Sequence, residues 1–218
     1  MADKESHIAE FSEPHSTAYL LFSSPIVILI VGPDKHVLKA HEFVLTPCGY
    51  FVNCLRQNKL QGAVTNEILL PDEDPGNIAK ILNWLYTLEP ERSYVRAFWA
   101  SLDSCLSLSD KEELLERLIV DYTLAKRYLF REISDAILQC DSFQRLWETG
   151  LVIDWKHFQQ LQTAGLRDSS LWTSLVSLLA GMILRGQCDL KSSLDERLYQ
   201  DHDLLQELFF RLSSLQFE

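Results

Sequence analysis

The chain has 218 residues, 47 % of them hydrophobic, with a net charge of −11 and an isoelectric point near 5.0. That apolar content is enough for a filled core and excludes a disordered chain. The acidic balance excludes a nucleic-acid-binding surface, which needs clustered Lys and Arg, and disfavours anionic membranes.

Residues 1–18 mix Lys, Glu, Ser, His and Pro without a period, and residues 1–23 read as a lead-in. Tyr19, Leu20, Leu21 and Phe22 at its end are expected to pack on a sheet edge. The run from Pro25 to Val31 is β-branched and closed by Gly32-Pro33, which predicts a strand buried on both faces. Residues 37–40 follow across the turn as the second strand of a hairpin. Two short helical pieces, residues 41–45 and 50–55, are split at Pro47, which cannot continue the first but can start the second. Residues 67–70 form another strand. Asp74 then caps a helix with Pro75 at its first position, and Ile78, Ile81, Leu82 and Leu85 supply its apolar face.

Tyr94, Val95, Phe98, Trp99, Leu102, Cys105 and Leu106 recur at helical spacing, and Ser109 to Glu112 has capping-box spacing for the next helix. Leu114, Leu115, Leu118 and Ile119 give that helix its stripe. Tyr122, Ala125, Leu129, Ile133, Ala136 and Ile137 are expected to continue along one face to Cys140. Residues 141–218 read as helical throughout. Phe143, Leu146 and Trp147 precede a stop at Gly150, and Trp155, Phe158 and Leu161 precede one at Gly165. Leu171, Leu175, Leu178, Leu179 and Met182 run to Gly186. Leu194, Leu198, Leu205, Leu208, Phe209 and Leu212 complete the pattern.

The chemistry-bearing residues do not assemble into a recognisable site. The six His show no H-x-x-x-H pair and the five Cys no C-x-x-C, so no metal is expected. His41, Cys48 and Cys54 read as a buried histidine and two core thiols. Cys48 has the best claim to nucleophilic chemistry, near a helix N-terminus, yet nothing local supplies a base or an oxyanion site. No Gly-rich phosphate loop is present, so no cofactor is expected. Asp74 has its capping role, and Glu67, Asp72 and Glu73 read as solvated carboxylates. Scattered cysteines and the polar start at residues 1–5 point to reduced thiols inside a cell, in cytoplasm or nucleus. The apolar run 175–184, broken by Ser177 and Gly181, is too short for a membrane span of roughly 20 residues.

The sequence from Ile26 to Gly32, with Leu38, His41, Val44-Leu45 and Phe51, resembles the BTB/POZ domain. The likeness continues through Ile68 to Pro75, Asn83 to Thr87, and Tyr122 to Leu129. Five pieces in order cover residues 24–88 and 112–139, and the likeness is greatest to the short, finger-less BTB proteins of filamentous fungi. It implies an α+β fold: a small mixed sheet flanked by helices, followed by an all-helical C-terminal region. On this reading residues 24–139 form the BTB/POZ domain with a helical insertion at 91–110, and residues 140–218 pack directly on it. His41 becomes a structural residue between strand and helix.

The resemblance also implies a non-catalytic protein–protein interaction module, a scaffold or dimerisation protein. The family's strong dimers carry an amphipathic helix ahead of the first strand, where this chain has Pro14 and little period. The alternative is a substrate adaptor of a cullin-based ubiquitin ligase. Against it, Leu60-Gln61-Gly62 stands where a hydrophobic-x-acidic triplet is expected, and no substrate-reading domain is recognisable. An enzyme is the third reading. Asn53, Arg56, Gln57, Lys59 and Leu60 flank the family's usual partner face and are the interface candidates.

Overall fold

A computed structural model of the chain describes residues 20–21, 23–60, 66–87, 90–104, 107–139, 153–186 and 201–215. It is a mixed α+β structure. Strands β1 (Ile26–Val31) and β2 (His36–His41) form an antiparallel hairpin, and β3 (Glu67–Leu70) adds parallel to β1, giving the order β2-β1-β3. Helices α1 (Glu42–Leu45) and α2 (Gly49–Leu60) separate the hairpin from β3, with Pro47 at the break between them. After β3 come α3 (Pro75–Tyr86), α4 (Pro90–Ser104), α5 (Leu108–Arg127) and α6 (Arg131–Gln139). The C-terminal part holds α7 (Trp155–Thr163), α8 (Ser170–Leu184) and α9 (His202–Leu215). Among the described residues no helix is long and apolar enough to cross a membrane.

The sheet has one buried face, not two. Val27, Leu29 and Val31 point inward with Ala40, Ile68 and Leu70, all buried. Ile28 and Ile30, expected in the core, are half-buried on the opposite face. Among the described residues helices cover one side of the sheet, so the period-2 geometry of a strand divides an unbroken apolar run between core and the opposite face. Leu45, Phe51, Ile81, Leu82 and Leu85 are buried as the sequence predicts. Asp74 caps α3 by accepting from the Asn77 N–H (2.9 Å), and Trp84 joins the helix's buried face. Leu20 is exposed, and Leu21 packs against the core.

The cap of α5 lies two residues earlier than predicted. Ser107 accepts from the Asp110 N–H (3.1 Å) while Asp110 accepts from the Ser107 N–H (2.9 Å), so Ser109 lies inside the first turn. Both serines precede a candidate partner three residues on. The reciprocal bonds form at Ser107 and Asp110.

The stripe expected to run unbroken from Tyr122 to Cys140 is interrupted. Tyr128 ends α5, Leu129 takes φ 55°, and the Phe130 and Leu129 N–H groups return to the Ala125 and Lys126 carbonyls (2.8 and 3.2 Å). That pair of bonds is a Schellman ending. It turns Leu129 outward and places Tyr128 and Phe130 in the core. The same ending closes α7, where Gly165 occupies the left-handed position at φ 70° without steric cost.

Phe98 of α4 is buried, and Tyr94 meets Trp84 edge-on at 6.1 Å. Helix α7 lies along α5, buries Phe158 and Leu161, and sets Lys156 on Glu116 at 2.8 Å. Helix α9 packs on α8 through Leu204 and Leu208. Trp172 Nε1 donates to Glu207 (2.9 Å), and Arg167 pairs with Asp201 (2.6 Å). Phe209, expected on this stripe, is 62 % exposed, because the neighbouring Leu208 takes the inward position. Phe143, Leu146, Trp147, Gly150, Leu194, Leu198, Cys105, Leu106 and Cys140 lie outside the described residues, as do the side chains of Trp99 and Leu102.

Candidate functional site

Helix α2 carries the interface candidates, and its geometry follows from what lies behind it. Cys48, Phe51 and Leu55 recur toward the core and are buried. The Phe51 ring stacks on Tyr128, with centroids 6.3 Å apart and planes at 27°. Tyr50 meets the same ring edge-on at 5.0 Å, and its backbone N–H donates to the Tyr128 carbonyl (3.2 Å). The Cys48 Sγ–H donates to that carbonyl as well (3.0 Å). The first turn of α2 is thus docked on Tyr128, the residue that caps the end of α5. Gly49 permits the approach, since a Cβ there would stand 3.1 Å from the Leu129 Cβ.

Tyr128 also reaches the other way. Its hydroxyl donates to one oxygen of Glu73, and Arg127 donates to the other at 2.9 Å. Burial, then the hydrogen bond to Glu73, pushes the Tyr128 phenol far above its ordinary range, so it remains a donor at every physiological pH. Glu73 is therefore not the solvated carboxylate that the sequence suggested. Its side chain is only 10 % exposed and ties the segment after β3 to the end of α5. No local pattern marks this role, because its partners lie more than fifty positions away.

With its inner face held in this way, α2 turns Asn53, Arg56 and Gln57 outward, all exposed. These positions and Leu60 follow the i, i+3, i+4, i+7 spacing of one helical stripe, with Lys59 to one side. The side chains of Lys59 and Leu60, together with residues 61–65, lie outside the described residues.

The residues weighed for chemistry are spread apart. Cys48 is fully buried, and burial raises its thiol to about 11, so it is the neutral thiol at pH 7. Burial also raises the half-buried Cys54. His41 ends β2, and its Nδ1 lies 2.9 Å from the Tyr86 hydroxyl, which accepts the His41 backbone N–H at 3.0 Å. Among the described residues no group of three His, Cys, Asp or Glu side chains converges as metal ligands would.

A concavity of about 580 Å³ runs between α5 and α7 over Val120, Thr123, Gln159 and Gln160. Arg127 and Lys156, the cations on its rim, already pair with Glu73 and Glu116. Compared with known proteins, the chain matches no family model, no curated protein and no solved structure.

Proposed function

We infer that the chain is a non-catalytic protein–protein interaction module of the BTB/POZ kind, a scaffold that takes a protein partner on the outward stripe of α2. The observation that carries this reading is the order of its elements. A hairpin, a helix pair broken at Pro47, a strand inserted parallel beside β1 and an Asp74-capped helix succeed one another as the resembling pieces of sequence do. Helix α2 suits such a role because Phe51 and Tyr128 hold it rigidly from behind. A helix already ordered loses little entropy when a partner docks. Arg56 stands in the middle of the exposed stripe, and Arg is enriched among the residues that dominate binding energy.

The partner is a protein of the cytoplasm or nucleus. The case against a cullin rests on Gly62, which lacks the acidic side chain expected there and lies outside the described residues. The test is affinity purification from the native cell with the parent chain and with an Asn53→Ala, Arg56→Glu, Gln57→Ala variant in parallel. Proteins recovered with the parent and lost with the variant support the reading. An unchanged set moves the interface off α2, and turnover of a small molecule by the purified chain replaces the reading with an enzyme.

A further inference from the structure

The face of the sheet turned away from the core carries two ordered rows. Lys39, Ile28 and Glu67 lie side by side across β2, β1 and β3, and Val37, Ile30 and Leu69 form the next row. The alternate residues of these strands are mostly buried, whereas Val37 is 59 % and Leu69 68 % exposed. An aliphatic row across three strands, bordered by one cation and one carboxylate, is the composition of a docking face.

We propose that this face docks a second copy of the chain, sheet against sheet, about a two-fold axis parallel to β1. Such an axis carries β2 of one copy over β3 of the other. Ile28 and Ile30 meet their own counterparts, Val37 of one copy meets Leu69 of the other, and Lys39 meets Glu67 on both sides. An axis across the strands through the same row sets Lys39 against Lys39 and Glu67 against Glu67. Charge complementarity therefore selects the first arrangement. Nearly parallel alignment of the strands is also the ordinary geometry for two packed sheets.

The area sets the strength. Strands of six, six and four residues, set about 4.8 Å apart, cover on the order of 250 Å². Stable interfaces bury about 800 Å² per partner, so this dimer is weak and concentration-dependent. The surface is separate from α2, and the proposal stands whether or not α2 binds a partner.

Sedimentation equilibrium of the full chain from micromolar to millimolar concentration tests it. A reversible monomer–dimer equilibrium is expected. Lys39→Glu and Glu67→Lys should each weaken it by roughly tenfold or more, since each sets like charges together. Leu69→Glu should abolish it, and the double exchange Lys39→Glu, Glu67→Lys should return to within about threefold of the parent. The substituted sheet positions are exposed, and melting curves like the parent's establish that each variant is folded. The α2 variant should associate as the parent does, which separates failure of this proposal from failure of the α2 reading. A chain monomeric throughout the range, a dimer indifferent to Leu69→Glu, or a double exchange as weak as the singles overturns the proposal.

Discussion

The hydroxyl of Tyr128 donates to the carboxylate of Glu73, 55 positions earlier in the chain, while the ring of the same tyrosine stacks on Phe51 of α2. One side chain thus joins the end of α5 to both the candidate interface helix and the segment after β3. Tyr128→Phe keeps the stacking and deletes the hydrogen bond, and should cost about 1.5–3 kcal/mol, the range for a bond to a charged group. A denaturant double-mutant cycle with Glu73→Ala, which removes the acceptor, should show coupling of comparable size. Additive losses would show that the bond contributes nothing.

Phe51 is fully buried in the same cluster. Phe51→Ala should destabilise the chain by about 3–5 kcal/mol, through lost transfer energy and the cavity left behind. Unchanged urea midpoints would mean that α2 does not dock through this residue.

Gly49→Ala sets a Cβ 3.1 Å from the Leu129 Cβ, with the left-handed backbone of Leu129 leaving little room to yield. A loss of about 1–3 kcal/mol is expected from overpacking. Leu129→Gly removes the opposing atom and suits φ 55°, so the double variant should recover most of the loss. Equal stability of the single and double variants would assign the cost to something other than this contact.

His157 is fully buried, its Nδ1 accepts the Asp154 N–H at 3.0 Å, and its Nε2 has no hydrogen-bond partner among the described residues. Burial, then the nearby Lys156, lowers its pKa below the ordinary 6.5, against opposing pulls from Asp154 and Glu116. A depressed folded value means that the unfolded chain takes up the proton first as pH falls. The contribution of His157 is therefore complete above pH 6.5 and is lost as pH drops through the lower folded value. Urea midpoints at pH 7.5 and pH 5 should differ more for the parent than for His157→Gln. An identical pH response in the two would show that the imidazole is not the group responsible.

At neutral pH the buried Cys48 thiol, raised to about 11, should alkylate more slowly than the half-buried Cys54. Peptide mapping after brief iodoacetamide treatment checks this, and faster labelling of Cys48 would contradict its burial.

Local chemistry made much of the architecture legible. Gly32-Pro33 marks the hairpin, Pro47 the break between α1 and α2, Asp74-Pro75 the start of α3, and Gly165 the end of α7. Each signal acts within a few residues, on backbone angles or on the first unpaired N–H groups of a helix, and so can be read from a short window. Asn53, Arg56 and Gln57 were named only through the family resemblance; the fold shows them exposed along α2, and nothing local says what they bind.

Tertiary structure decided the rest. Residues 26–31 are apolar throughout, so only the helices on one side of the sheet could choose Val27, Leu29 and Val31 for the core and leave Ile28 and Ile30 on the other face. Ser107 and Ser109 each precede an acidic residue by three positions, and the folded chain uses Ser107. Leu129 and Tyr128 are adjacent, and the Schellman turn, stabilised by burial of Phe130, decided which faces solvent. Glu73 sits among carboxylates of the same kind and differs from them only because Arg127 and Tyr128 arrive beside it in the folded chain. Burial and long-range pairing are properties of what surrounds a residue, and a sequence window contains only its neighbours along the chain.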